Sequence, residues 1–341
     1  MNVLIIGFGT AGKHYFDLLK KNKNVKNIYV LDDAKLPKNK KYFQVSKKEI
    51  QDKDLQIRYA FICTPSNLHY TYAKICLNLN MNVLIEKPFV LKLKHASDLI
   101  KITKIKKLKC WTALQNRHNT AVKKMASMVK SNSFGKVALV DCTMFWHRSK
   151  KYYEGWRGKY TSDGGVLNNQ AIHLLDMLIY IFGPIKHFDA YAGFDKKKLQ
   201  AEDLILINFI HKNGTASSFK ATTRANQDYR SALDVVGSKG RALIKGISLN
   251  SYHYWKKAKF KSSKKYSENF ILGLGPKSGM GTGHKKILGE FLNEKIKRSS
   301  CNLEISKNKY TLKIIHSIYN NILKKNKLNP IKNKESILGG I

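Results

Sequence analysis

The chain begins with Asn2-Val3-Leu4-Ile5-Ile6-Gly7-Phe8-Gly9-Thr10-Ala11-Gly12. Residues 2–6 form a mostly apolar run that is typical of a buried parallel strand. Three glycines in GxGxxG spacing follow. In a dinucleotide-binding turn they permit the tight turn, the close approach of a pyrophosphate, and the packing of the helix on the strand. The next helix offers free N–H groups to that anion. We therefore expect a dinucleotide to contact Gly7, Phe8, Gly9, Thr10, Ala11 and Gly12.

An acidic residue ends the next apolar run, 28–31. Asp32 lies twenty residues after Gly12, where a carboxylate accepts hydrogen bonds from the adenosine ribose hydroxyls. A carboxylate at this position repels a 2′-phosphate. Asp33 adds to that repulsion and Lys35 opposes it, so the sequence favours NAD over NADP.

Apolar runs and helical patterns alternate through the first third of the chain. Strands are predicted at 2–6, 28–31, 59–63, 82–85 and 109–114, with helices that include 69–79 and 95–106. Such alternation indicates right-handed βαβ units and a parallel sheet. We predict an α/β chain whose first domain, residues 1–120, is a doubly wound Rossmann domain.

The pattern changes after about residue 120. A helix over 167–182 is ended by Gly183-Pro184, and Asn213-Gly214 is a hairpin-turn signal. Most later segments have the pattern of strands, at 136–146, 187–193, 204–211, 216–223, 231–237 and 242–245. We predict an α+β domain with a largely antiparallel sheet over 121–330, closed by helices near 285–297 and 309–324. Residues 331–341 are expected to form a flexible tail.

The net charge is +40, from 63 Lys and Arg against 23 Asp and Glu. One interpretation is a nucleic-acid binder. However, the lysines are scattered along the whole chain, and no RNP-like motif, zinc finger or single basic tail is present. We therefore expect no nucleic-acid partner, and we expect the charge to steer anionic ligands such as sugar phosphates toward the protein.

The cysteines and the apolar runs restrict the class of protein further. Cys63, Cys76, Cys110, Cys142 and Cys301 are odd in number, widely spaced and free of Cys-x-x-Cys pairs, so neither a metal site nor a disulfide framework is expected. No apolar run is long enough to span a bilayer, and no secretory leader precedes the first strand. We predict a cytoplasmic protein without membrane association.

Lys87 occupies a privileged position among many lysines. Glu86-Lys87-Pro88 follows the predicted strand 82–85, at the sheet edge where such folds bind ligands. Pro88 restricts Lys87 to extended conformations. Partial burial and a neighbouring cationic nicotinamide would lower the pKa of Lys87 toward the working range of a general base.

A second polar group lies on the predicted helix 167–182. Asn169, His173 and Asp176 are spaced by four and three residues and would share one face. The rest of the helix is apolar, so these groups require partners. They form either a satisfied core network or, together with Lys87, the proton acceptor that an alcohol oxidation needs.

These motifs together resemble the Gfo/Idh/MocA family, the relatives of glucose–fructose oxidoreductase and inositol dehydrogenase. The resemblance covers nearly all of residues 1–325. It rests on Gly7–Gly12, Asp32, 64–69 (TPSNLH), Glu86-Lys87-Pro88, Trp156-Arg157-Gly158, Gly164-Gly165 and Asn169–Asp176.

The resemblance implies a second domain whose open sheet mediates homodimers or homotetramers. It implies that Lys87 also reaches the substrate and that His173 is the acid/base residue. It further implies that the following residues contact the cofactor: Thr64, Pro65, Asn67, His69, Glu86, Lys87, Asn116, Trp156 and Arg157. Of these, Trp156 and Arg157 contact either the cofactor or the substrate.

Asn169 departs from the family pattern, because many relatives carry Asp there. An Asn orients a hydroxyl but takes no proton, so the base role falls to His173 and Lys87, with Asp176 fixing the tautomer of His173. The Asn-Gln-x-x-His form resembles a subgroup of sugar and nucleotide-sugar oxidoreductases. We expect hydride transfer between a secondary alcohol of a sugar or nucleotide-sugar and NAD, in the synthesis of surface polysaccharides.

Other functions fit the same motifs. The first is a cyclitol, free-sugar or dihydrodiol dehydrogenase, and the second is a non-catalytic NAD-binding protein. A glycosidase that uses NAD as an internal oxidant is a third alternative.

Overall fold

The computed structural model describes residues 1–194, 200–229, 231–247, 249, 251–256, 264–267, 283–296 and 302–324. Cys301 and the predicted flexible tail 331–341 lie outside the described residues. No helix in the described part of the chain is long and apolar enough to cross a bilayer.

The first domain is a parallel six-stranded sheet in the order β3-β2-β1-β4-β5-β6. Its strands are β1 (Asn2–Ile6), β2 (Asn27–Leu31), β3 (Phe43–Gln44), β4 (Ile57–Ile62), β5 (Asn82–Ile85) and β6 (Cys110–Thr112). Its helices are α1 (Thr10–Leu19), α2 (His69–Asn78) and α3 (Leu93–Lys106). The predicted doubly wound parallel sheet is confirmed.

Both faces of this sheet are buried, as the unbroken apolar runs require. Val3 and Ile5 pack into one hydrophobic cluster, whereas Leu4 and Ile6 pack into a second cluster on the other face. The strand order reverses between β1 and β4, because β1 pairs with both β2 and β4. This switch point opens a crevice beyond the carboxyl ends of β1 and β4, where ligands bind in such sheets.

The second sheet has eight strands in the order β14-β13-β12-β11-β7-β10-β9-β8. They are β7 (Val137–Phe145), β8 (Ile185–Gly193), β9 (Leu204–His211), β10 (Ala216–Thr222), β11 (Ser231–Gly237), β12 (Gly240–Gly246), β13 (Ser251–Lys256) and β14 (Lys264–Ser267). Only the pairing of β7 with β10 is parallel among these described strands, which confirms the largely antiparallel sheet.

Helices cover one face of this sheet. They are α4 (Thr120–Lys130), α5 (Val166–Asn169), α6 (Ile172–Phe182) and α8 (Ile305–Lys324). The predicted single helix over 167–182 is wrong, because two turn residues after Asn169 interrupt the helix. The Ala171 amide donates to the Val166 carbonyl at 2.8 Å, one residue further than in a regular α-helix. The break separates Asn169 from the face of α6.

The opposite face of the eight-stranded sheet carries exposed apolar side chains. They come from several neighbouring strands and are 40–48% exposed: Leu139, Phe145, Tyr191, Leu206, Ile210 and Val236. Nothing in the described part of the chain covers this face.

The chain returns to the first domain through α7 (Gly283–Leu292). Ile287 and Phe291 are fully buried in the cluster that also contains Phe61 and Trp111, and the ring centroids of Trp111 and Phe291 lie 5.4 Å apart. The predicted second domain, 121–330, includes α7, but α7 packs against the first domain. Its apolar face completes the core of the Rossmann sheet.

Candidate functional site

The glycine loop has the geometry that a pyrophosphate requires. Gly7 has a φ of +87°, and a Cβ there would lie 2.8 Å from the backbone of Cys63 and Thr64. A Cβ on Gly12 would lie 2.0 Å from the Gly7 carbonyl oxygen, whereas a Cβ on Gly9 would meet nothing within 4 Å. Gly7 and Gly12 thus serve the internal packing of the turn, and Gly9 leaves the backbone open to a ligand at the N-terminus of α1.

Asp32 lies at the end of β2 and holds this loop. One carboxylate oxygen accepts from the Phe8 amide at 2.6 Å, and the other accepts from the Ala34 amide at 2.9 Å. The side chain is half-buried, so each oxygen keeps a lone pair for a further donor. The arrangement fits the predicted contact with a ribose, and the contact itself stays a prediction.

The opposite wall of the crevice is the turn after β4. Thr64 and Pro65 are half-buried, Asn67 is exposed, and the Thr64 hydroxyl is buried without a hydrogen-bond partner in the described structure. An unpartnered buried hydroxyl beside the glycine loop fits a cofactor contact. Asn116 is half-buried in a turn after β6, where its carbonyl accepts from the Asn119 amide at 3.0 Å.

His69 does not line the crevice as predicted. Its ring is buried, with Nδ1 at 2.7 Å from the Pro88 carbonyl oxygen and Nε2 at 2.9 Å from the Thr64 carbonyl oxygen. Burial lowers the pKa of His69, although both carbonyls oppose that change. Both ring nitrogens face backbone oxygens, of which a neutral imidazole donates to one, so His69 is packed between the turns after β4 and β5 and has no nitrogen directed at a ligand.

Glu86 is held by a residue from α7. Its Oε1 lies 3.7 Å from Nε2 of His284. Burial alone would raise the pKa of Glu86, but His284 and then Lys87 outweigh it and lower that pKa to about 2. Glu86 therefore stays a carboxylate over the physiological range, which suits the predicted contact with ribose hydroxyls.

Lys87 and Asn169 meet where the two domains face each other. The Lys87 ammonium donates to the Asn169 carbonyl oxygen at 2.7 Å and to its Oδ1 at 3.2 Å. That carbonyl lies at the end of α5, where the helix breaks. Burial lowers the pKa of Lys87, the carboxylates Asp163 and Glu86 oppose the change, and Arg157 reinforces it.

Asp163 completes this group. Its Oδ2 accepts a short hydrogen bond from the Asn169 side-chain amide, and its Oδ1 lies 3.4 Å from the Ser66 hydroxyl. The Asn168 side chain donates to the Asp163 carbonyl at 2.7 Å. Burial raises the pKa of Asp163, while the charge of Lys87 and the hydrogen bond from Asn169 lower it.

His173 is half-buried beside this cluster, and its Nδ1 is buried without a partner in the described structure. Burial and then the charge of Lys87 lower the pKa of His173 to about 3. The imidazole is therefore neutral at physiological pH. It offers one donor and one acceptor to a hydroxyl group.

Aromatic rings and a cation form the remaining wall. The Arg157 guanidinium lies 4.6 Å from the ring centroids of both Trp156 and Tyr152. The Tyr152 hydroxyl accepts from Nε2 of Gln170 at 3.2 Å, and Oε1 of Gln170 is buried without a partner in the described structure. No carboxylate of the described residues pairs with Arg157.

Comparison with known proteins identifies the family. Residues 1–114 match the model of the oxidoreductase family with an NAD-binding Rossmann fold, and residues 122–243 match that of the GFO/IDH/MocA C-terminal domain. The chain belongs to the Gfo/Idh/MocA family of oxidoreductases. The predicted resemblance and the NAD-binding domain are thereby confirmed.

Curated relatives of this Gfo/Idh/MocA protein are distant. An uncharacterised oxidoreductase of Synechocystis is 23% identical, and the match covers 58% of this chain and 57% of that protein. Oxidoreductase P35 of Formosa agariphila is 25% identical, with 58% and 65% covered. The chain thus spans about three fifths of the length of these relatives.

Solved structures share the fold over almost the whole chain. The WlbA dehydrogenase of Bordetella pertussis, solved with NADH and UDP-GlcNAcA, has a TM-score of 0.78 at 19% identity and covers 94% of this chain and 96% of its own. Levoglucosan dehydrogenase with NADH has a TM-score of 0.78 at 16% identity, with 95% and 97% covered. At these low sequence identities, the similarity to the two structures supports the fold of this family member and nothing more specific.

Asp176 does not pair with His173 as predicted. Its Oδ2 accepts from Nε of Arg117 at 2.7 Å, and its Oδ1 accepts from Nη2 of Arg117 at 2.6 Å and from the Thr311 hydroxyl at 2.9 Å. The break after α5 turns this side of α6 toward the turn before α4 and toward α8. Asp176 is therefore a structural residue of this Gfo/Idh/MocA protein and does not orient His173.

Two residues of the site escaped the sequence patterns. His284 lies about two hundred positions after Glu86 and carries no local motif. Asp163 directly precedes Gly164-Gly165, one of the motifs that resemble the family. Its position beside that motif is the sequence feature from which it could have been predicted as a site residue. Among the described residues, no group of three or more His, Cys, Asp or Glu side chains is arranged to hold a metal ion.

Proposed function

We propose that this protein is an NAD-dependent dehydrogenase that acts on a secondary alcohol of a sugar. The observation that carries the proposal is the Lys87 ammonium, held by Asn169 at the carboxyl end of β5 beside a glycine loop that fits a pyrophosphate. NAD supplies the hydride acceptor when it is bound. Gly9, Asp32, Thr64 and Glu86 would hold it.

Lys87 takes the hydroxyl proton in this proposal. An amine is a stronger base than the His173 imidazole, whose pKa of about 3 leaves it neutral and weakly basic. Burial lowers the pKa of Lys87, so that the amine form becomes accessible at a lower pH than for a surface lysine. His173 and Asn169 orient the substrate hydroxyl toward Lys87. The sequence alone assigns the role of proton acceptor to both Lys87 and His173, whereas we now assign it to Lys87 only.

A nucleotide-linked sugar is the substrate that we propose. Arg157 offers a guanidinium that lies 4.6 Å from the centroids of two aromatic rings, without a carboxylate partner among the described residues, which suits an anionic group of a ligand. The net charge of +40 attracts such ligands. The WlbA structure that shares the fold holds UDP-GlcNAcA. Use in surface-polysaccharide synthesis, in the cytoplasm, is part of the proposal. The four described cysteines form no disulfide, which fits a reducing compartment.

A substrate panel tests this function. We expect NADH formation with a UDP-linked sugar, and we expect the Arg157→Met variant to raise KM for it by about 100-fold. Turnover of levoglucosan or another uncharged free sugar, with Arg157→Met unchanged, would contradict the nucleotide-linked substrate. Tight NADH binding without turnover of any sugar would favour a non-catalytic role. The exposed Arg241→Met variant is the matched control, because it removes a cation outside the cleft.

We also propose that the exposed apolar face of the eight-stranded sheet joins two copies of the chain. A sheet face whose apolar side chains are open to water favours burial against a like surface. A Leu206→Glu/Ile210→Lys variant should shift the dimer or tetramer to monomer in sedimentation velocity. An unchanged sedimentation coefficient would contradict the proposal. Lys94→Glu, on the exposed side of α3, is the control for a charge change elsewhere.

A further inference from the structure

Asn169 lacks the charge that an aspartate would present to Lys87, yet a carboxylate is still present one hydrogen bond away. Asp163 is 1% exposed, and its Oδ2 accepts from the Asn169 side-chain amide. That amide then presents its Oδ1 to the Lys87 ammonium at 3.2 Å. The three side chains form one chain of donors and acceptors across the domain boundary.

The carboxylate fixes which way the amide points. An amide side chain has an accepting oxygen and a donating nitrogen, whereas a carboxylate only accepts. With Asp163 on one side, the nitrogen of Asn169 must face it, and the oxygen must face Lys87. The reversed amide would place two oxygens against each other and two N–H groups against the ammonium.

We infer that Asp163 is a positioning residue of this site, which orients Asn169 toward Lys87 and supplies the carboxylate that Asn169 lacks. The inference rests on the proposed dehydrogenase function. It explains how an amide stands at position 169 while Lys87 stays oriented.

The charges around Lys87 set the expected response to losing Asp163. Asp163 and Glu86 favour the ammonium, while Arg157 and Arg148 disfavour it, as does burial. His173 on α6 is neutral and adds no charge. Removing the Asp163 charge leaves Glu86 alone against the two arginines. The pKa of Lys87 therefore falls further in an Asp163→Asn variant, and the amine form persists to lower pH.

The test compares Asp163→Asn with a variant in which the two side chains are exchanged, Asp163→Asn/Asn169→Asp. We expect kcat of the single variant to fall by about 100-fold through misplacement of Lys87. Its acid limb of kcat/KM should also move to lower pH. The exchanged variant restores an amide-to-carboxylate hydrogen bond and an acceptor for Lys87, so we expect kcat within about tenfold of wild type. An exchanged variant no better than the single variant would overturn the inference.

A second readout does not need turnover. Competitive acetylation of Lys87 across pH, followed by peptide mass spectrometry, reports its protonation in the ligand-free protein. The labelling midpoint should fall in Asp163→Asn and return in the exchanged variant. Asp203→Asn removes another buried carboxylate, one paired with Arg224, and should leave the midpoint in place. A midpoint equal to wild type in Asp163→Asn would overturn the inference even if no sugar is oxidised. A shifted midpoint without turnover would support it and contradict only the dehydrogenase function.

Discussion

A Lys87→Met variant is expected to lose about 10³-fold in kcat for alcohol oxidation, the range in which a general base contributes. Methionine keeps the length and apolar stem of the side chain but removes the proton acceptor. It also leaves the Asn169 carbonyl oxygen and Oδ1 without their donor. Because Lys87 lies at the end of β5 and not in the glycine loop, NADH binding should change much less than kcat.

Steady-state kinetics with a fluorescence titration of NADH separates these effects. Lys94→Met, an exposed lysine on α3, should retain wild-type kcat. The wild-type profile adds a check, since the base must be an amine: kcat/KM should rise with pH through the pKa of Lys87, which burial places below the usual value of about 10.4. A Lys87→Met enzyme with kcat within about tenfold of wild type and the same pH profile would exclude Lys87 as the base.

An Arg117→Met variant is expected to lower the free energy of unfolding by about 3–5 kcal/mol, as breaking a buried ion pair does. Arg117 and Asp176 are 8% and 2% exposed and share two hydrogen bonds of 2.7 and 2.6 Å. Removing the guanidinium leaves the Asp176 carboxylate buried with only the Thr311 hydroxyl as a described donor. The loss also frees the Asn302 carbonyl oxygen, which accepts from Nη1 of Arg117 at 2.6 Å.

Denaturant unfolding measures the change. Arg241→Met breaks the ion pair with Asp234, whose partners are 51% and 22% exposed, and should cost less than about 1 kcal/mol. An Arg117→Met/Asp176→Leu variant removes both charges and should recover much of the lost stability. Equal losses for Arg117→Met and Arg241→Met would show that the buried pair contributes no more than a surface pair.

Local pattern was sufficient for the features that one segment determines alone. The glycine spacing after a buried strand and the acidic end of the next strand follow from the backbone needs of a dinucleotide turn. Lys87 could be selected among many lysines because the end of a parallel strand is a fixed place in the fold. The alternation of strands and helices predicted the parallel sheet, and the run of strands after residue 120 predicted the largely antiparallel one.

Features that depend on distant contacts were not predictable. Helical spacing placed Asn169, His173 and Asp176 on one face, but Lys87 holds the Asn169 carbonyl at a helix break that periodicity does not reveal. Arg117 forms an ion pair with Asp176, because α6 packs against the turn before α4. His284 reaches Glu86 from α7, whose apolar face gives no indication of which sheet it will cover.

The hydrogen bond from Lys87 to the Asn169 carbonyl couples the protonation of Lys87 to the contact between the two domains. The ammonium comes from the first domain, and both of its oxygen acceptors come from the second. A rotation that parted the domains would return Lys87 to water, where its pKa would rise back toward about 10.4 and the side chain would be an ordinary cation. An open form of this kind would hold Lys87 as an ammonium, and it would lack the proton acceptor of the proposed reaction.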